Sequence, residues 1–117
     1  MDPRHALGSE SEKLAARELV RRGYAIVARN EILESGELDI VARRGAEVVI
    51  VEVRSRTDDP EDEAAESVRP PKRSRVRKAA EEFLSGRPVD YEEVRIFVAS
   101  VRWRSGRPRL HIYEDAF

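Results

Sequence analysis

Two apolar runs joined by a short turn constrain the fold of this chain most strongly. Residues 37–43 and 47–54 are rich in Val, Ile and Leu, and the turn between them contains Gly45 and Ala46. Short apolar runs on either side of a Gly-containing turn are typical of a β-hairpin. The sequence therefore predicts two antiparallel strands joined by a two-residue loop, and strands this apolar are normally buried.

Two carboxylates interrupt these apolar strands. In the register set by a two-residue loop, Asp39 lies opposite Glu52, and Glu37 lies opposite Arg54. Directly opposite side chains have Cβ atoms roughly 4.5 to 5.5 Å apart, so two carboxylates there repel unless a positive charge lies between them. A hard cation such as Mg²⁺ prefers carboxylates, waters and phosphate oxygens. The pair is a candidate metal site; the alternative is a solvated edge hairpin with a Glu37–Arg54 surface salt bridge.

Periodicity and turn residues predict the remaining elements and give the order αβββαββ. This order corresponds to an α/β sandwich in which helices flank a central mixed sheet, and the chain, residues 1–117, is expected to form a single domain. The other predicted elements are a helix ending near residue 22, a strand at 24–29, a helix following Pro70 and Pro71, and strands at 94–101 and 109–113 separated by Ser105 and Gly106.

Charge is distributed unevenly along a chain whose formal net charge is only -1. Residues 57–66 contain six acids and no base, whereas residues 68–80 contain six bases and no acid. Such blocks are either solvated surfaces or interaction surfaces. The acidic block is a candidate docking segment for a protein partner, and the basic block is a candidate contact for nucleic-acid phosphates. The candidate phosphate contacts are Arg69, Lys72, Arg73 and Arg77.

Several classes of protein are disfavoured by what the sequence lacks. The chain contains no cysteine, so neither a disulfide framework nor a thiolate metal site can form. No apolar run approaches the ~18 residues of a membrane span, and the first residues do not resemble a signal peptide. We therefore expect a cytoplasmic protein without a membrane partner.

The order of these motifs resembles the PD-(D/E)XK nuclease superfamily and, more closely, the bacterial YraN-like family of uncharacterised proteins. The resemblance is carried by Glu12, by GELD at 36–39 and by VEVR at 51–54, and it continues to the closing LHIYEDAF. It implies a restriction-endonuclease-like fold and hydrolysis of phosphodiester bonds in DNA with Mg²⁺ or Mn²⁺. Symmetric action on two strands would favour a homodimer.

The resemblance also implies a role for each site residue. Asp39 and Glu52 are implied to be metal ligands, and Val53 is implied to add its backbone carbonyl. Glu12 is implied to reach the site from the first helix, and we expect Glu12 or Glu37 to assist catalysis.

Position 54 departs from the family pattern, because Arg54 replaces the expected lysine. A guanidinium is not deprotonated in proteins and cannot act as a general base, although it can orient a water or bind a phosphate bidentately. Arginine outnumbers lysine by 19 to 3 here, so the replacement follows a general trend in this chain. Three hypotheses therefore remain: a Mg²⁺-dependent nuclease, a nucleic-acid-binding module that keeps the fold without turnover, and a scaffold whose acidic block docks a protein partner.

Glu12 has a second interpretation that does not involve a site. Ser9 and Glu12 match the spacing of a helix capping box, in which the glutamate bonds back to the N-cap backbone. A helix that begins at Asp2 and Pro3 instead would exclude the capping box and favour the functional role.

Aromatic residues of the last two strands have structural and functional interpretations. Phe97 occupies a position where the family tends to place an acid, and we expect it to be structural. Trp103 and Tyr113 could stack on bases, although strand aromatics more often belong to the core. The arginines near them are Arg102, Arg104, Arg107 and Arg109.

Overall fold

The described part of the chain folds in the predicted order, αβββαββ. The computed structural model describes residues 3–58, 73–87 and 90–115, and for residues 3–6, 73 and 74 it describes the backbone alone. None of the helices in these ranges is both long and apolar enough to cross a membrane. The elements are α1 (Pro3–Arg21), β1 (Ala25–Leu33), β2 (Gly36–Arg44), β3 (Glu47–Arg56), α2 (Arg73–Ser85), β4 (Glu93–Arg104) and β5 (Arg107–Tyr113).

The strands form one mixed sheet in the order β1-β2-β3-β4-β5. Neighbouring strands are antiparallel except β3 and β4, which run parallel. A parallel pair needs a crossover connection, and α2 lies within the connection from β3 to β4. The result is the predicted restriction-endonuclease-like sandwich, with α1 and α2 packed on opposite faces of the sheet.

Both faces of the sheet are buried by these helices, which explains why the central strands are apolar at almost every position. Alternate residues of β3 point to opposite faces, so Val49 and Val51 pack under α1 while Val48 and Ile50 pack under α2. Phe97 is fully buried in the α1 layer, which confirms its structural role.

The predicted two-residue loop at Gly45 and Ala46 is confirmed. Arg44 pairs with Glu47, and the ladder continues in the predicted register to Ile40 and Val51. Gly45 has a φ of 61°, the left-handed conformation that a tight hairpin turn requires at this position.

Strand ends differ from the sequence prediction, chiefly in β1. The sequence predicts that this strand ends at residue 29, but it extends to Leu33 through Asn30 and Glu31, which interrupt the apolar pattern. Backbone pairing with β2 holds this extension, because Ile32 pairs with Glu37 and Leu33 pairs with Gly36. The predicted turn at Ser105 and Gly106 is confirmed.

An ionic and aromatic network closes the end of the sheet that carries the two-residue loop. The Tyr24 hydroxyl donates a 2.8 Å hydrogen bond to Glu47, and the guanidinium of Arg95 lies 3.4 Å from the same carboxylate and 2.7 Å from Asp115. Burial, together with the bond to Glu47, raises the pKa of Tyr24 to about 12. This end of the sheet is therefore held by side chains as well as by the ladder.

A single carboxylate ties α2 to the β1–β2 turn. Glu82 accepts hydrogen bonds from the backbone N–H of Glu34 (3.2 Å) and of Ser35 (3.1 Å), and also from the Ser35 hydroxyl. The bonds from Ser35 lower the pKa of Glu82. This contact helps to hold α2 over β1 and β2, and so positions the start of α2 beside the carboxylates of β2.

Candidate functional site

A cleft of about 260 Å³ lies between the start of α2 and the neighbouring parts of β2 and β3. It brings together four residues that the sequence predicted as a site: Glu37, Asp39, Glu52 and Val53. The remaining residues that line it are Gly36, Arg75 and Val76. The carboxylates that interrupt the apolar strands therefore converge on one space.

Asp39 and Glu52 lie just beyond the point where the β2–β3 ladder ends. The last backbone pair joins Ile40 to Val51, and the next contact is made by a side chain: the Val53 N–H donates a 2.8 Å hydrogen bond to Oδ2 of Asp39. This bond fixes the orientation of one carboxylate of the pair. It also gives Val53 a role, through its N–H, that the sequence did not indicate.

The β2–β3 backbone pairing does not extend as far as Glu37 and Arg54. Its last pair joins Ile40 to Val51, and beyond it the Asp39 side chain, not the backbone, accepts the Val53 N–H. On their other sides, Glu37 pairs with Ile32 on β1 and Arg54 pairs with Ser100 on β4.

The burial of the carboxylates excludes a solvated edge hairpin. The strands β2 and β3 are interior strands of the sheet, and Glu52 is only 7% exposed. Within the described ranges, no group of three or more His, Cys, Asp and Glu side chains could hold a metal by itself. A cation in the cleft would thus rely on Asp39 and Glu52 with waters and substrate oxygens, which is the usual ligand set of Mg²⁺.

Glu12 belongs to the interior of α1, so the capping-box interpretation is wrong. The helix begins at Pro3, six residues before Ser9, and Pro is favoured at a first helical position. The neighbouring Ser11 is fully buried; its hydroxyl donates to Ser55 Oγ at 3.0 Å and accepts from Trp103 Nε1 at 2.9 Å. These bonds anchor the part of α1 that carries Glu12.

The surroundings of Glu12 connect it to the carboxylate cleft. Burial raises the pKa of the half-buried Glu12 carboxyl, and the charges of Asp39 and Glu37 raise it further, whereas Arg29 and a hydrogen bond with Asn30 lower it. Its Oε1 atom is buried and has no hydrogen-bond partner among the described residues. Glu12 therefore lies close enough to Asp39 and Glu37 to act electrostatically with them.

The backbone of β1 is irregular next to Asp39. Asn30 has a φ of 52°, a left-handed conformation that Asn tolerates better than most residues. Its neighbours Arg29 and Glu31 pair with Ile40 and Leu38, so Asn30 lies beside Asp39 across the β1–β2 ladder. Sparsely populated conformations of this kind often cluster at functional sites.

Two arginines lie near the cleft, and one of them lines it. Arg54 is half-buried and lies two residues beyond Glu52, so both project from the same face of β3, but Arg54 does not line the cleft. Arg75 does line it. Arg75 belongs to the basic block of residues 68–80, and its one local signal in the sequence is that it directly precedes Val76, which is buried.

Two of the predicted nucleic-acid contacts lie in the first part of α2. Arg77 is exposed on this helix, and Arg73 is its first residue. Arg69 and Lys72 lie outside the described residues, as does most of the acidic block, residues 59–66.

Comparison with known proteins identifies the family of the chain. The model of the uncharacterised protein family UPF0102 matches residues 11–107. The chain belongs to UPF0102. The prediction of the YraN-like family is thereby confirmed, and the UPF0102 match includes every carboxylate of the cleft.

Relatives in other bacteria share this similarity over most of their length. A UPF0102 protein of Anaeromyxobacter dehalogenans is 40% identical over 116 residues, which cover 99% of this chain and 87% of the relative. A UPF0102 protein of Pelotomaculum thermopropionicum is 39% identical over 118 residues, which cover 99% of this chain and 98% of the relative.

Glu12→Gln is expected to raise the Tm at pH 7 and to change it little at pH 4. The folded state raises the pKa of Glu12 above its ordinary value of 4.5, so the folded protein holds this proton more tightly than the unfolded chain. Ionisation of Glu12 therefore destabilises the fold as the pH rises above 4.5, and glutamine removes this effect. Thermal unfolding from pH 4 to 8 measures it, with the exposed neighbour Glu10→Gln as control. A Tm difference that does not grow with pH contradicts the prediction.

Proposed function

We propose that this protein is a divalent-metal-dependent nuclease that hydrolyses phosphodiester bonds in DNA. The observation that carries the proposal is the convergence of Asp39 and Glu52, from neighbouring strands, on one cleft that also contains Arg75. Carboxylate oxygens suit a hard cation, and a guanidinium suits a phosphate. A cleft that offers both chemistries fits a phosphodiester substrate.

Asp39 and Glu52 are the residues that would hold Mg²⁺ or Mn²⁺. The donor set fits, because both side chains present oxygen atoms to the cleft and the Val53 N–H fixes the orientation of Asp39. A bound cation polarises a phosphoryl oxygen and lowers the pKa of a coordinated water. The backbone carbonyl of Val53 remains a further candidate ligand.

The arginines orient the reacting groups. Arg75 binds a phosphate oxygen of the substrate inside the cleft, and Arg54 positions the scissile phosphate or the attacking water along the same face of β3. The water oxygen forms a bond to phosphorus and releases a proton to the surrounding water, the bond from phosphorus to the leaving oxygen breaks, and the leaving oxygen takes up a proton. Glu12 is suited to supply it, because its raised pKa makes it protonated at higher pH than an ordinary glutamate.

A second candidate function is a nucleic-acid-binding module that has lost turnover. The observation that favours it is Arg54 itself, because a guanidinium cannot remove a proton from water. In this case the cleft would still bind a cation and a phosphate without hydrolysis.

Cleavage assays across nucleic-acid forms test the proposal. Wild type is expected to cut supercoiled, linear duplex, single-stranded or branched DNA in Mg²⁺ or Mn²⁺ and to be inactive in EDTA. Mg²⁺ at ten times its Kd is expected to raise the free energy of unfolding by ~1.4 kcal/mol, visible as a higher Tm. Light scattering on the same sample tests the predicted homodimer.

Asp39→Asn is the matched control for these assays. Asparagine can still accept the Val53 N–H but loses the charge, so cleavage and the metal-induced Tm shift should both disappear. Activity that survives in Asp39→Asn would come from elsewhere and would refute the proposed site. Binding of DNA without cleavage by any form would favour the second candidate.

A further inference from the structure

Four arginines surround a groove of about 510 Å³ on the β4–β5 hairpin, away from the carboxylate cleft. They form two cross-strand pairs: Arg102 faces Arg109, and Arg104 faces Arg107. Like charges directly opposite each other on antiparallel strands destabilise the pairing. An arrangement that stability disfavours indicates that the groove binds an anionic group.

The carboxylate of Asp58 already lies against two of these arginines. Oδ1 of Asp58 lies 3.5 Å from Nε of Arg102 and 3.4 Å from Nε of Arg104. Both arginine side chains remain more than half exposed, at 53% and 70%. The groove therefore accepts an oxygen anion while leaving most of each guanidinium accessible to further anions.

The arginines lie on the same face of the sheet as Glu52. Strand residues two apart share a face, and directly paired residues of neighbouring strands share it too. The distance along β4 from the row of Glu52 to the row of Arg102 is four residues, or ~13 Å. The successive rows on this face are Glu52, Val98 and Tyr113; Arg54, Ser100 and His111; Arg56, Arg102 and Arg109; and Arg104 with Arg107.

An aromatic pair lies between the cleft and the arginines. The rings of His111 and Tyr113 pack against each other at a tilt of 59°, with centroids 4.2 Å apart, and Tyr113 is 51% exposed. Trp103 belongs to the opposite face, where its Nε1 donates to Ser11 under α1. Of the two aromatic candidates from the sequence, Trp103 is therefore structural, and Tyr113 presents a ring surface in the row of Glu52, on the same face as the arginine groove and four residues along β5 from Arg109.

We propose that this face binds a single-stranded segment of the nucleic-acid substrate, with phosphates on the arginine groove and a base stacked on Tyr113. Single-strand binders combine a basic groove with exposed aromatic rings, and the bases of an intact duplex are not available to stack on such a ring. The inference rests on the proposed function, since it names the substrate class of the Asp39–Glu52 cleft. Binding itself requires neither metal nor cleavage.

Fluorescence anisotropy in EDTA tests the groove, with fluorescein-labelled 20-nucleotide oligothymidylate as the probe. If four phosphates are neutralised, log affinity should fall against log salt with a slope of about -2.8, and Arg102→Gln/Arg109→Gln should flatten it by about 1.4. The control Arg21→Gln/Arg22→Gln removes the same charge at the end of α1, beside the two-residue loop, and should leave the slope unchanged.

Two further variants give effects that a structural role would not produce. Asp58→Asn removes a competing anion and should tighten binding of the probe about fivefold. Tyr113→Ala should weaken binding of the single strand about tenfold through loss of base stacking, while binding of a duplex of equal length stays unchanged.

Binding at the arginine groove and cleavage at the carboxylate cleft can be tested separately. Weaker single-strand binding by Arg102→Gln/Arg109→Gln, with an unchanged or higher Tm, supports the groove even if no form of the protein cleaves DNA. Wild-type cleavage with oligothymidylate affinity unaffected by the groove and Tyr113 substitutions would overturn the inference and leave the nuclease standing. A lower Tm in the double variant, with unchanged affinity per folded molecule, would assign the arginines to the fold and overturn it as well.

Discussion

Glu52→Gln is expected to abolish metal-dependent cleavage of DNA, with a loss of at least ~100-fold. The substitution keeps the size of the side chain but removes the charge of a carboxylate that is only 7% exposed in the cleft. A hard cation binds a neutral amide oxygen far less tightly than a carboxylate, so both the cation and the chemistry that it supplies should be lost. Initial rates over a Mg²⁺ titration measure the effect.

Two companion measurements separate this loss from unfolding. The Tm of Glu52→Gln in EDTA should stay close to that of wild type, because glutamine keeps the size of the side chain. The Tm increase caused by Mg²⁺ should be absent. Glu37→Gln is the matched control at the exposed rim of the same cleft, and it should lower the rate by less than ~10-fold. Full activity of Glu52→Gln would remove Glu52 from the proposed site.

Arg54→Ala is expected to lower the cleavage rate by ~100-fold, whereas Arg54→Lys should stay within ~10-fold of wild type. Loss of one preorganised group that stabilises the transition state typically lowers kcat by ~10²–10³. Lysine keeps the positive charge but loses the bidentate geometry of the guanidinium. Single-turnover rates of the two variants distinguish a positioned cation from a base.

Higher activity in Arg54→Lys than in wild type would indicate general base catalysis. If the reaction needs an ionisable amine, wild type should be nearly inert and Arg54→Lys should raise the rate by ~100-fold, as general base catalysis does. If neither form cleaves any nucleic acid while both bind it, the protein is a binding module. Glu52→Gln in the Arg54→Lys background verifies that any restored activity uses the same cleft.

The hairpin and its carboxylate pair could be predicted because their signals are local. Gly45 and Ala46 fix the loop, the loop fixes the register, and the register places Asp39 near Glu52. The predicted backbone register ends at Ile40 and Val51 and does not extend to Glu37 and Arg54. Sequence periodicity cannot indicate that an aspartate side chain will take over a backbone donor and end the ladder.

The residues that sequence analysis missed depend on contacts between distant segments. Arg75 reaches the cleft because α2 packs over β2 and is held there in part by Glu82. Gly36 has a φ of 153°, a backbone conformation that residues with a side chain rarely adopt, and it lies against Ala79 of α2. The position of Glu12 likewise depends on the bond from Trp103 to Ser11, across 92 residues of sequence. No local pattern contains this information.

The network of Tyr24, Glu47 and Arg95 lies far from the residues of the carboxylate cleft. Glu47 and Arg54 are seven residues apart on β3, or ~23 Å, and substitutions this far apart usually change stability independently. The carboxylates and Arg54 can therefore be substituted without loosening the end of the sheet that carries the network.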